Sequence, residues 1–118
     1  MLIDPVLSLA AFHSAIGKLD FSAIESMLAS DARYVSIKVG ALEGREAIIA
    51  AFRRYFAEYP DQVAQDDLIE RISPLSARAV WHVSATSSTT GLPLERHGEE
   101  TIGFDAAGRV ISVDVTDY

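Results

Sequence analysis

Two hydrophobic periods divide this chain near Pro60. Before it, Leu9, Phe12, Ile16 and Leu19 recur near helical spacing, and Ile48, Ala51, Phe52, Tyr55, Phe56 and Tyr59 follow an i, i+3, i+4, i+7 pattern. Asp4–Pro5 is a helix start, with a capping carboxylate followed by proline at the first helical position, and Gly17 marks the end of that helix. Asp20 caps a second, short helix with Phe21, Ile24, Met27 and Leu28 on one side, closed by Ser30–Asp31. A strand over Arg33–Val39 follows, where Tyr34, Ser36 and Lys38 alternate with Val35, Ile37 and Val39. Gly40 and Gly44 bracket a turn before the third helix, which Pro60 stops.

After Pro60 the period becomes two. Strands are predicted at roughly Val63–Ile72, Arg78–Thr89, Leu94–Phe104 and Arg109–Thr116. They break at Ser73–Pro74, at Gly91–Leu92–Pro93 and at Asp105 to Gly108, and Ser84 to Thr90 is rich in Ser and Thr. Helices gathered early and antiparallel strands gathered late give an α+β fold, with helices covering one face of a curved sheet.

Composition narrows the setting. The 118 residues read as one domain, with 49% hydrophobic against 23% charged residues, enough to bury a core. No cysteine is present, which removes disulfides and thiolate metal sites. Seventeen acidic against ten basic residues give a net charge of −7, and Arg53–Arg54 is the sole basic doublet. Such a surface repels phosphate backbones, so nucleic acid is not an expected partner. Without an 18-residue apolar run or a basic leader, no membrane association is expected and a cytoplasmic protein is. No P-loop, GxGxxG, nucleophile elbow or HExxH occurs, so no cofactor is expected.

The segments LDFSAIESMLASDARYVS (19–36), LEGREAIIAAF (42–52) and GRVISVDV (108–115) resemble the nuclear transport factor 2-like superfamily. SnoaL-like polyketide cyclases, ketosteroid isomerases, epoxide hydrolases and scytalone dehydratase belong to it. The resemblance implies a cone: a curved antiparallel or mixed sheet with three N-terminal helices over its concave face, around a pocket. It also implies that Tyr34 and Ser36 enter the pocket, with Lys38 nearer the mouth, whereas periodicity alone turns Val35 and Ile37 to the core. A dimer reconciles the two, because a second subunit can bury an apolar outer sheet face.

Matched position by position, this chain departs from the ketosteroid isomerases. Phe12 stands at the position of their oxyanion-hole tyrosine and carries no donor. Ser36 (or Ile37, with a gap placed differently) stands at their catalytic aspartate. Glu100 alone keeps a carboxylic acid where the family has one, so an authentic ketosteroid isomerase is not expected. The arginine-flanked carboxylate pair of limonene epoxide hydrolases is not apparent either.

Glu100 is also singled out by the last hairpin. If Asp105 faces Gly108, then Phe104 faces Arg109, Ile102 faces Ile111 and Glu100 faces Val113. Ile102, Phe104, Ile111, Val113 and Val115 then form the core side, and Glu100 shares it. A carboxylate on an apolar face needs a partner or a proton. Left in a dry pocket, desolvation favours its protonated form and suits it to acid–base work. The bland reading pairs it at the rim with Arg96 or Lys38. Glu99 points to the other face, opposite Asp114, so the doublet is not a glycosidase pair.

Trp81, Val83 and Ala85, with Phe52 and Phe56 from the third helix, have the parity to line the same side as Glu100. The histidines show no ligand spacing. His13 reads as a helix-boundary residue, and His82 and His97 as outward-facing, so no metal site is expected. The expectation is therefore a cofactor-free pocket protein, a homodimer through its outer sheet face, taking a small hydrophobic ligand with a carbonyl or hydroxyl group. Glu100 is the candidate acid or base. Tyr34, Ser36, Phe12, Phe52, Phe56, Trp81, Val83, Ile102 and Val113 are the candidate ligand contacts. The alternative is a non-catalytic binding or dimerisation module with the same cavity.

Overall fold

Asp4 Oδ1 accepts hydrogen bonds from the backbone N–H groups of Val6 and Leu7, and Pro5 opens helix α1, Pro5–Gly17. Asp20 caps α2, Phe21–Met27, by accepting from Ala23 N–H. The chain then turns directly into strand β1, Leu28–Ser36. The computed structural model describes residues 2–37 and 40–118. Lys38 and Val39, the expected end of this strand, lie outside them.

The expected Gly40–Gly44 turn contains a short strand, β2, Gly40–Glu43, paired antiparallel with β1. Both glycines hold positive φ, at 86° and 93°. That conformation is open to glycine at low cost and bends the chain sharply at each end of the strand. Gly44 leads into α3, Arg45–Glu58, whose Ile48, Ile49, Ala51 and Phe56 are buried.

Four long strands follow: β3 Val63–Ser73, β4 Ser76–Thr86, β5 Pro93–Phe104 and β6 Val110–Asp117. The six strands form one sheet in the order β2-β1-β6-β5-β4-β3. β1 and β6 run parallel and the remaining neighbours antiparallel, so the sheet is mixed and open. α1 packs across β3, β4 and β5, while α2 and α3 pack against β1. The three helices thus cover one face of the sheet, as the sequence led us to expect. Between helices and sheet lie Leu9, Phe12, Ile24, Leu28, Ile48, Ile102, Phe104, Val110 and Val113, each at most 2% exposed. Among the described residues, no helix is long and apolar enough to cross a membrane.

The last hairpin departs from the expected register. Glu100 faces Val115 and Ile102 faces Val113, two residues further along than the turn alone suggested. The loop closes through Asp105, whose backbone N–H donates to Arg109 O and whose Oδ1 accepts from Ala107 and Arg109 N–H. A bulge then sets Phe104 opposite Val110 and leaves Ile111 as the extra residue. Ile111, expected in the core, is 40% exposed, and Val110 takes its place. The shift is even along β5, so Glu100 keeps its inward face. Glu99 faces Thr116 rather than Asp114, and Arg78 on β4 pairs with it.

Gly98 lets β6 approach β5 closely. A Cβ added there would lie 2.3 Å from Thr116 O, and backbone atoms cannot step aside as a side chain can. Gly98→Ala is therefore expected to destabilise the protein by about 2–3 kcal/mol. Urea unfolding would measure this; a variant as stable as the parent would refute the close-approach argument.

Candidate functional site

Helix and sheet do not close on each other everywhere. A cavity of ≈ 350 Å³ opens between α1, α3 and the concave sheet face. Its apolar wall comes from Ile16 on α1, Phe52 and Phe56 on α3, and Trp81, Val83 and Val115 on the sheet. Phe52 meets Tyr34 and Phe56 edge-on, at centroid distances of 5.5 and 6.3 Å. These contacts suit ring quadrupoles and make that wall rigid.

Glu100, 9% exposed, projects from β5 into the cavity. Among the described residues its partner is not Arg96, and Lys38, the other expected partner, lies outside them. Glu100 Oε1 accepts from Nε2 of His13 on α1, and His13 Nδ1 lies 2.8–2.9 Å from both carboxylate oxygens of Asp66 on β3. His13, expected as a boundary residue, thus bridges two carboxylates across the helix–sheet interface. Asp66 reaches it because it faces Trp81 in the β3–β4 ladder and shares the inward side with that ring. A bulge after Asp66 sends Asp67 outward to His82, with Asp67 Oδ2 2.9 Å from His82 Nδ1.

Burial works against a charge on His13, but the Coulombic field of Glu100 and the hydrogen bonds that the ring donates to Asp66 and Glu100 outweigh it. Its pKa is pushed up from 6.5 to about 10. At neutral pH the ring is an imidazolium donating from both nitrogens. The two carboxylates approach opposite sides of that ring and share no common centre. Among the described residues, no group of three or more His, Asp or Glu side chains is placed to hold a metal ion.

Tyr34 and Ser36 line the cavity from β1, as the family resemblance implied and strand periodicity did not. Ile37 is 90% exposed, so the polar face of this strand looks inward. Burial, helped by the Glu100 charge, pushes the Tyr34 hydroxyl above the usual phenol range, so it stays a donor. The indole, Phe52, Phe56 and Val83 also line the cavity. Phe12, Ile102 and Val113 do not; they sit in the packed core, at 1%, 0% and 1% exposure. α1 turns Phe12 against the sheet, while Ile102 and Val113 face each other under the helices.

A second polar cluster lines the cavity. Arg96 on β5 grips Asp117 with two parallel bonds of 2.9 Å, donates to the Tyr55 hydroxyl at 3.2 Å, and lies 5.2 Å from the Trp81 ring centroid. A bidentate carboxylate and an aromatic face are what a guanidinium binds best. Arg96 is therefore occupied, which explains why it does not serve Glu100.

Near the end of α3, Tyr59 and Gln62 complete the lining. The Ser- and Thr-rich stretch after β4 holds this end in place. Ser88 N–H donates to Glu58 O at 2.7 Å, and Thr89 Oγ1 to Glu58 Oε2 at 2.6 Å.

Two residues escaped the sequence reading. His13 stands four positions after Leu9 and three before Ile16, on the same buried stripe of α1, and that spacing was its available signal. Asp66 has the inward parity of Ala64. Their meeting, however, joins segments 53 residues apart.

A family model described as a SnoaL-like domain matches residues 9–117. No curated protein sequence matches significantly. Several solved structures share the fold. A Mycobacterium tuberculosis protein in complex with estradiol-17β-hemisuccinate is 15% identical, with a TM-score of 0.83 over 94% of this chain and 91% of that one. A protein of Xanthomonas campestris pv. campestris, provisionally described as a polyketide cyclase, is 18% identical, with a TM-score of 0.82 over 92% and 85%. The epoxide hydrolase/cyclase-like enzyme of pyran-ring formation in the polyether salinomycin is 14% identical, with a TM-score of 0.83 over 94% and 88%.

Proposed function

The chain belongs to the SnoaL-like domain family, and within that fold we propose that its cavity performs acid–base chemistry on a small hydrophobic compound carrying a carbonyl, hydroxyl or epoxide oxygen. The observation that carries this reading is the Asp66–His13–Glu100 chain, ending in a carboxylate that faces an apolar, aromatic-walled cavity. Structural neighbours that hold a steroid ester or act in cyclisation support a ligand of this general kind.

In this proposal Glu100 is the proton carrier. Its Oε1 is tied to His13, and its second oxygen, Oε2, is assigned to the substrate. As a base it takes a proton from a carbon next to a carbonyl, or from a hydroxyl that attacks a neighbouring electrophilic carbon. As Glu100–COOH it returns that proton to the product. His13 stays cationic until about pH 10, so it orients Glu100 and offsets its charge rather than acting as the base. The Tyr34 hydroxyl donates to the substrate oxygen where negative charge develops, with Ser36 beside it on β1. No cofactor takes part in this scheme.

The test is a screen of ketone, lactone and epoxide substrates with the parent protein and Glu100→Gln. Loss of a proton carrier is expected to lower kcat by about 10²–10⁴-fold on any substrate turned over. Equal rates would remove Glu100 from the chemistry, and absence of turnover across the panel would leave a binding module with the same cavity. Homodimerisation through the outer sheet face also belongs to this proposal, supported by exposed Leu68, Ile72 and Ile111 on β3 and β6. Sedimentation should give a twofold mass; a monomer at micromolar concentration would rule it out.

A further inference from the structure

Across the described residues, one buried side-chain polar atom lacks a hydrogen-bond partner: Oε1 of Gln62. Gln62 is one of the residues that line the same cavity. Buried acceptors are rarely left unpaired, and each exception asks for a group not present. The charged groups that line the cavity are already paired. His13, Asp66 and Glu100 satisfy one another, and Arg96 is taken by Asp117 and Tyr55.

Gln62 sits immediately before β3, with its backbone N–H bonded to Tyr59 O at 3.3 Å. Gln62, Ala64 and Asp66 form one row along the cavity. At about 3.3 Å per residue, Gln62 lies about 13 Å of strand from the acid–base end. The loop contacts to Glu58 hold this end of the cavity in place, so the amide is presented by a fixed wall.

We propose that Gln62 is a specificity-determining residue that accepts a hydrogen bond from the far end of the ligand. The ligand class is then bifunctional: a flat or elongated hydrophobic body with an oxygen function at Glu100 and Tyr34, and a hydroxyl or N–H donor at the opposite end. This rests on the proposed function only for the first of the two ends, and it can be read by binding alone.

Three probes separate the possibilities: 4-hydroxybiphenyl, 4,4′-dihydroxybiphenyl and 4-hydroxy-4′-methoxybiphenyl. Quenching of Trp81, the single tryptophan and a wall of the cavity, reports binding. The dihydroxy compound is expected to bind about tenfold more tightly than the monohydroxy compound. Gln62→Leu should abolish that gain, so that the affinity ratio of the dihydroxy to the monohydroxy compound falls to about one, and Gln62→Glu, which keeps an acceptor, should retain the ratio. Equal affinities in the parent, an undiminished gain in Gln62→Leu, a larger gain for the methyl ether, or no binding of any biphenyl would each overturn the proposal. The outcome is independent of turnover, so a failed Glu100 assay and a failed Gln62 assay remain distinguishable.

Discussion

Replacing His13 with leucine is expected to destabilise the protein by about 3–5 kcal/mol, the range for removing one partner of a buried ion pair. The side chains of His13, Asp66 and Glu100 are 18%, 20% and 11% exposed, so little solvent can take over the lost contacts. The substitution would leave two carboxylates facing each other across a gap with no cation between them. Leucine fills the space without supplying a donor, so the loss comes from uncompensated charge rather than from packing. The double variant His13→Leu/Glu100→Leu should recover at least half of the deficit, because the carboxylate that most needs the cation is then gone. Urea unfolding of the four proteins completes a double-mutant cycle. Simple additivity of the two substitutions would show that the pair is not coupled and would refute this account of the cavity floor.

Stability is expected to fall as pH rises from about 6.5 to about 10. His13 has an ordinary pKa of 6.5 in the unfolded chain and about 10 in the folded protein, raised against the effect of burial by Glu100 and Asp66. Below pH 6.5 both states hold the proton, and the full stabilisation is present. Through the window the folded state keeps a proton that the unfolded chain releases, so stability declines by up to about 1.4 kcal/mol per pH unit. Above the folded pKa the contribution is lost. Melting temperatures between pH 6 and 10 would show the decline in the parent, and the difference from His13→Leu isolates it. A parent curve parallel to that of His13→Leu would mean that the ring is not held as a cation.

The two effects have one origin, and it bears on the proposed chemistry. The sequence left Glu100 either in a dry pocket as an acid or base, or paired at the rim with Arg96 or Lys38. The fold instead sets the His13 imidazolium, a cation up to about pH 10, against Glu100, so the carboxylate is held in one orientation with its charge balanced. Asp66 completes the arrangement by holding the ring from its other nitrogen.

Much of this architecture is legible in the residues themselves. Asp4–Pro5, Asp20 and Pro60 act locally, through capping and a missing N–H, and the helices begin and end near them. The alternation after Pro60 yields four strands whose bounds fall within about three residues of expectation. β2 was missed because two glycines four residues apart signal a turn, and nothing local says that the residues between them pair with β1. The hairpin register slipped because a loop closed by Asp105 and a bulge at Ile111 depend on packing against the sheet, not on turn residues.

The sequence by itself determined the elements, the inward face of Glu100 and the aromatic residues available to line a cavity. These follow from periods of 3.6 and 2, which are set by backbone geometry and need no distant partner. Only the tertiary structure decided who meets Glu100. His13 and Asp66 come from a helix and an edge strand, and their approach is fixed by how α1 lies across the curved sheet. It also decided that Arg96 belongs to Asp117, that Phe12 packs in the core, and that the polar side of β1 turns inward. Each of those outcomes depends on curvature and long-range pairing, which no local pattern of side chains encodes.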